Sequence, residues 1–148
     1  MPYTPLELAN AFIQTGELTD ALDALNQQLA ASPEDDASRR LRVETLLRFK
    51  GDEHLQAALA DLDQLATLTI DDLVKRSLIH QKRGDLDAAS QSMILALQHE
   101  PTSERLIERQ VHLLQSRGDY AAALKLLEVV PLTWRWQQWR GDLAALAG

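Results

Sequence analysis

The chain of 148 residues contains no cysteine. Disulfides, thiolate nucleophiles and cysteine-ligated metals are therefore excluded at the outset. It has only 6 glycines and 5 prolines, too little punctuation for a turn-dense β architecture. No segment approaches the run of about 18 apolar residues that a bilayer-spanning helix requires. The first residues, MPYTPLELANAFIQTGEL, lack a basic stretch ahead of an apolar core, so no secretory signal is expected. Bases are the minority, 15 against 22 acids, for a formal charge of −7. Taken whole, that balance disfavours a generic nucleic-acid or anionic-membrane binder. What is present is 45% hydrophobic and 25% charged residues, a globular proportion. Ala, Leu, Gln and Arg, all good helix formers, are abundant. The expectation is a soluble, cytoplasmic, all-helical protein.

The sequence repeats itself. A glycine followed by an acid occurs at Gly16-Glu17, Gly51-Asp52, Gly84-Asp85 and Gly118-Asp119, at intervals of 35, 33 and 34 residues. Ala21, Ala89 and Ala123 stand five residues after three of these glycines, and Leu25, Met93 and Leu127 four residues further on. Pro33 and Pro101 close two of the units. Glycine ends a helix in the left-handed region without a Cβ penalty. The acid suits the start of the next helix. Alanine permits close helix approach, and the apolar residue one turn later fills the interface.

This pattern resembles the tetratricopeptide repeat, a helix–turn–helix unit of 34 residues. In the third unit it reads Leu73-x-x-Arg76-Ser77-x-x-His80, then Gly84, Ala89, Met93 and Pro101; in the first, Pro5-x-x-Leu8-Ala9-x-x-Phe12, then Gly16, Ala21, Leu25 and Pro33. The second unit fits with two extra residues in its turn, aligning Ala58 and Leu62, and the fourth meets Pro131 early, so its second helix should be short. The resemblance spans about residues 3 to 131. It implies a right-handed α-α superhelix forming one domain, with units at about 3–33, 36–70, 71–101 and 104–131. First helices are expected at 5–15, 36–50, 71–83 and 103–117, and second helices at 18–31, 54–68, 86–99 and 120–130. A capping helix over about 132–146 carries Leu132, Trp136, Trp139, Leu143 and Leu146 as one apolar stripe.

Charge is partitioned along this register. Residues 37–50, 71–83 and 104–117 hold twelve of the fifteen bases and five of the acids, a net +7 that leaves −14 elsewhere. In the family the repeats resemble, first helices line a concave groove. The resemblance thus implies a basic groove on an acidic body, suited to an acidic peptide or protein segment. Its groove positions are Asn10, Thr45, Leu78 and His112; Arg42, Lys75 and Arg109; Ile13 and Arg48; and Phe49 and Lys82. Lys50, Arg83 and Arg117 precede the turn glycines, where a cation complements the helix's negative end. The lysine, asparagine and arginine set with which some relatives clamp a chaperone tail is matched at two of five positions, and that role is rejected.

Trp134, off the apolar stripe and flanked by Arg135, is a candidate anchor for a partner or a second copy. His54, His80, His99 and His112 include no pair spaced i, i+4, so no metal site is expected. No phosphate loop, nucleotide fingerprint or serine–histidine constellation occurs, and no cofactor or catalysis is expected. The sequence reads as a protein-interaction scaffold or adaptor. Its rivals are a self-associating assembly factor using the Trp-bearing helix, and nucleic-acid binding through the same groove.

Overall fold

The computed structural model describes residues 3–131 and 133–148. Among them every regular element is helical: α1 (Pro5–Thr15), α2 (Leu18–Ala31), α3 (Asp36–Leu46), α4 (Asp52–Asp63), α5 (Ile70–Lys82), α6 (Leu86–His99), α7 (Glu104–Ser116), α8 (Tyr120–Leu126), a 3₁₀ turn (Leu127–Val129) and α9 (Trp134–Ala147). The chain divides into two compact units, residues 1–68 with α1 to α4 and residues 69–148 with α5 to α9. Within each, consecutive helices pack as neighbours.

The helix ends show why these residues form these elements. Thr4 and Glu7 make a reciprocal capping box at α1, and Thr69 and Asp72 make another at α5, each satisfying two otherwise orphaned backbone donors. Asp85 and Asp119 accept from Ala88 and Ala122 at the starts of α6 and α8. Glu17 makes no side-chain cap. At the other ends, Gly16, Gly84 and Gly118 take φ of 82°, 82° and 76°. There the residue after each glycine donates back to the carbonyl of Phe12, His80 or Leu114 at 2.8–2.9 Å, closing the α-helix with a Schellman turn.

The second repeat departs from this scheme. Its first helix stops at Leu46 rather than near residue 50, and Arg48 and Phe49 turn out of it on bonds to Thr45 and Leu46. Gly51 adopts φ 112° and ψ 145° and serves as the N-cap of α4, not as the C-terminal glycine of α3. The extra turn residues seen in the sequence are absorbed by this unwinding. Helix α4 likewise ends at Asp63, short of 68, and the following loop is held to α3: Ala66 N–H donates to the Asp36 carboxylate, and Arg40 donates to the Thr67 carbonyl. The shortness of α8 ahead of Pro131 follows the sequence reading.

The repeat marks form the core. Ala21, Ala58, Ala89 and Ala123 are all fully buried, and Leu25, Leu62, Met93 and Leu127 are buried one turn beyond them. In the second unit, Ile107, Val111, Leu114, Leu127, Trp136 and Leu143 make one cluster, with Trp139 packed against it. This is the cover that α9 provides. Leu146 does not join it and is exposed, because the helix runs past the last surface it packs on. Leu132 lies outside the described residues.

Candidate functional site

Of the residues expected to line one groove, those in the first unit turn out to be largely engaged within the fold. Arg42 donates from Nε and NH2 to the two carboxylate oxygens of Asp61 at 2.7 and 2.5 Å, and from NH1 to Asn26 Oδ1 at 3.0 Å. One guanidinium therefore ties α2, α3 and α4 together. The fork geometry is the strong, bidentate kind, and the Asp61 hydrogen bonds raise the Arg42 pKa above its ordinary value. Asp61 also lies near the buried Arg39, whose guanidinium donates to the Pro33 carbonyl. Thr45 is a correction: it is fully buried, its hydroxyl donating to the Leu41 carbonyl at 2.8 Å, and no partner can reach it.

Asn10 is exposed and donates to the Leu6 carbonyl, and Ile13 is half-buried with its carbonyl 3.4 Å from an Arg48 guanidinium nitrogen. Arg48 and Phe49 belong to the turn after α3, where Phe49 stacks on His54 with centroids 4.7 Å apart. The sequence register puts them on the helix face, but α3 unwinds after Leu46 without a helix-ending glycine there, and Gly51 caps α4 instead.

The second unit is different. Leu78 and Gln81 of α5 face Arg105, Glu108, Arg109 and His112 of α7 across a depression of about 460 Å³. Lys75 is half-buried on α5, and Lys82 is exposed at its last position. Two further depressions, of about 230 and 520 Å³, continue past His112 toward α9; Trp139 and Asp142 line both. His112 is common to all three. Its ring packs on Trp139 at 4.7 Å, Trp139 stacks on Trp136 at 5.7 Å, and the Trp139 N–H donates to Gln115 Oε1 at 3.2 Å.

The charges there are unequal in availability. Glu108 is taken by Arg135, which also lies over the Trp136 ring at 5.2 Å. Arg109 keeps a buried Nε without an acceptor, and Arg105 is exposed on the neighbouring turn. With Glu108, the one acid lining it, occupied, the depression presents guanidinium and imidazole groups beside the aliphatic Leu78, while Asp142 lines the two depressions toward α9. Such a surface suits carboxylates. Arg117, by contrast, pairs with Asp87 at 2.8 Å.

Trp139, Arg135 and Glu108 were not foreseen at this site. For Trp139 the signal is the register of the capping helix: it lies on the apolar stripe yet is only half-buried, so one ring edge is left to the site. Among the described residues no group of three His, Asp or Glu side chains is placed to hold a metal ion, and no helix is long and apolar enough to cross a membrane.

No family model matches the chain, and no curated protein does. Solved structures do. One crystal structure of a MamA protein superposes with a TM-score of 0.73 at 13% identity, covering 96% of this chain and 85% of that one. A second MamA structure gives 0.73 at 18% identity over 84% of this chain and 73% of the other. A tetratricopeptide repeat protein from Parabacteroides merdae gives 0.62 at 18% identity over 96% of this chain and 60% of its own. The fold is a tetratricopeptide-repeat fold. Within it the depression between α5 and α7 lies between the first helices of the third and fourth repeats, and α9 is an appended helix covering the last tetratricopeptide pair.

Proposed function

We propose that this chain is a non-catalytic protein-interaction scaffold of the cytoplasm, and that the second unit carries its binding surface. The partner is an acidic segment of a protein, laid along α7 between α5 and α9. The observation that supports this most directly is the pairing state of the charges: Arg105 and Arg109 border the depression while Glu108 is bound by Arg135. His112, Trp139 and Leu78 supply apolar and aromatic area beside them, the mixture typical of interaction anchors. Arg42 leaves the binding set, because its guanidinium is committed to Asp61 and Asn26.

The test is titration of a fluorescent Glu/Asp-rich peptide into the protein at increasing salt. Binding should weaken steeply as salt rises, since exposed ion pairs are screened within about 8–10 Å at physiological ionic strength. The Arg105→Glu/Arg109→Glu protein should bind at least tenfold more weakly while keeping wild-type helicity. Equal binding by that variant, or none by the wild type at low salt, sinks the proposal. Tighter, salt-steep binding of single-stranded RNA than of the peptide would move the site to nucleic acid.

A further inference from the structure

The surface along α7 changes sign toward the end of that helix. On the α5 side, Arg105 and Arg109 border the depression of about 460 Å³. Past His112, the depression of about 520 Å³ is lined by His112, Gln115, Ser116, Tyr120, Trp139 and Asp142. Asp142 and the imidazole of His112 are the two titratable groups in that set besides the Tyr120 phenol. Asp142 is exposed on α9 and has no ion-pair partner among the described residues. Arg135, the cation that shares the smaller depression with it, is bound to Glu108.

A partner that is acidic throughout does not fit this surface, because carboxylates running on past His112 meet the like charge of Asp142. A cation fits it. Trp139 and the half-buried Tyr120 bring aromatic rings to the depression, and ring faces attract ammonium and guanidinium groups. Gln115 Oε1 accepts from the Trp139 N–H and keeps a second lone pair. The Ser116 hydroxyl donates to the His112 carbonyl, which leaves its oxygen as an acceptor. Trp134, 77% exposed at the start of α9, lines none of these depressions, so the aromatic contact falls to Trp139 and Tyr120. We propose that the partner segment carries a lysine or arginine beyond its acids, and that this cation enters the depression beside Asp142. The inference rests on the acidic-segment reading, since Arg105 and Arg109 fix where the acids lie.

Helix geometry sets the spacing. From Arg109 to Ser116, α7 advances about 10 Å at a rise of about 1.5 Å per residue. An extended chain covers that distance in about three residues, so about three positions separate the cation from the nearest acid. An exposed ion pair and an exposed cation–π contact are each modest. Together they strengthen binding about three- to tenfold rather than create it. The cation therefore acts on selectivity: it separates segments whose charge reverses from those that stay acidic.

The experiment titrates fluorescent peptides of equal length into the full chain at low salt. One peptide is acidic only. Two others add a lysine about three residues after or before the acids, each with an acetyl-lysine counterpart that lacks the charge. One of the two orders should bind the wild type about three- to tenfold more tightly than its acetyl-lysine counterpart. Asp142→Asn, a change at an exposed side chain, should erase that difference and bind the acidic peptide at least as well as the wild type does. Binding of the acidic peptide with no lysine gain in either order overturns the cation site and leaves the acidic-segment reading standing. So does a lysine gain that survives in Asp142→Asn. If no peptide binds the wild type, both fall.

Discussion

Asp61 is a single buried carboxylate facing two guanidiniums, those of Arg42 and Arg39. Removing it strands buried positive charge, a larger effect than losing a surface ion pair. Asp61→Ala should cost about 2–3 kcal/mol, below the usual figure for a buried pair because Arg42 is partly exposed. Replacing the pair together, as Arg42→Met/Asp61→Leu, should recover much of that loss in urea denaturation. A double variant no more stable than Asp61→Ala would show that the carboxylate acts through some other contact. Asp35 is held by hydrogen bonds instead of by cations. Its carboxylate accepts from the Ser38 backbone at 3.2 Å, the Ser38 hydroxyl at 2.7 Å and Gln28 at 2.9 Å, and these bonds, the Ser38 hydroxyl first, hold its pKa below the ordinary value. A depressed folded-state pKa contributes stability that is present above the unfolded value, near 3.9, and is lost as pH falls through the folded one. Asp35→Ala should therefore lower stability by about 1 kcal/mol at neutral pH. It should also flatten the acid limb of a thermal-stability profile below about pH 4. A variant that loses stability equally at pH 7 and pH 3 would contradict the cap.

At the scale of the helix, glycine has two opposite meanings in this chain. Gly84 sits at φ 82° with open space where a Cβ would go, so the cost of a side chain there is purely conformational. Gly84→Ala should destabilise by about 1 kcal/mol. Gly141 lies inside α9, with nothing within 4 Å of an added Cβ and without positive φ. Gly141→Ala should raise the melting temperature, by about 0.5–1 kcal/mol of stability. Equal effects of the two substitutions would mean that the helix of Gly141 frays in solution. These elements were largely legible beforehand. The ends of α1, α2 and α6 coincide with the sequence reading, because Thr4, Gly16, Asp85 or a following proline, Pro33 or Pro101, stands near each boundary. The failures occur where no such residue stands. Helix α3 unwinds after Leu46 within an ordinary helical sequence, and α4 ends at Asp63 through loop contacts to Asp36 and Arg40. The site was half legible for a related reason. Register places a side chain on a face, but its hydrogen-bond partner comes from another helix. Arg42 and Arg109 share a register position, yet Asp61 and Asn26 consume one while the other borders a depression.

Across the whole chain, the clustered bases of the first unit have a structural use. Arg39, Arg40 and Arg42 are spent on carbonyls and Asp61 inside residues 1–68. Stability in repeat folds is approximately a sum of local terms. Asp61→Ala should therefore reduce amide hydrogen-exchange protection chiefly in α2, α3 and α4, leaving α7 and α9 near wild type. Uniform loss along the chain would show that the two units open only together.

The three Schellman turns have a consequence for how such a chain can change over generations. Their bonds run from the residue after glycine to the carbonyls of Phe12, His80 and Leu114, so the turn is specified by backbone and by one missing Cβ. The side chain at the receiving position carries no instruction and has passed from benzyl to imidazole to isobutyl within one molecule. A shape written in main-chain bonds and in four small alanines can outlast nearly every other letter. The same freedom lets neighbouring repeats acquire different surfaces on a common frame.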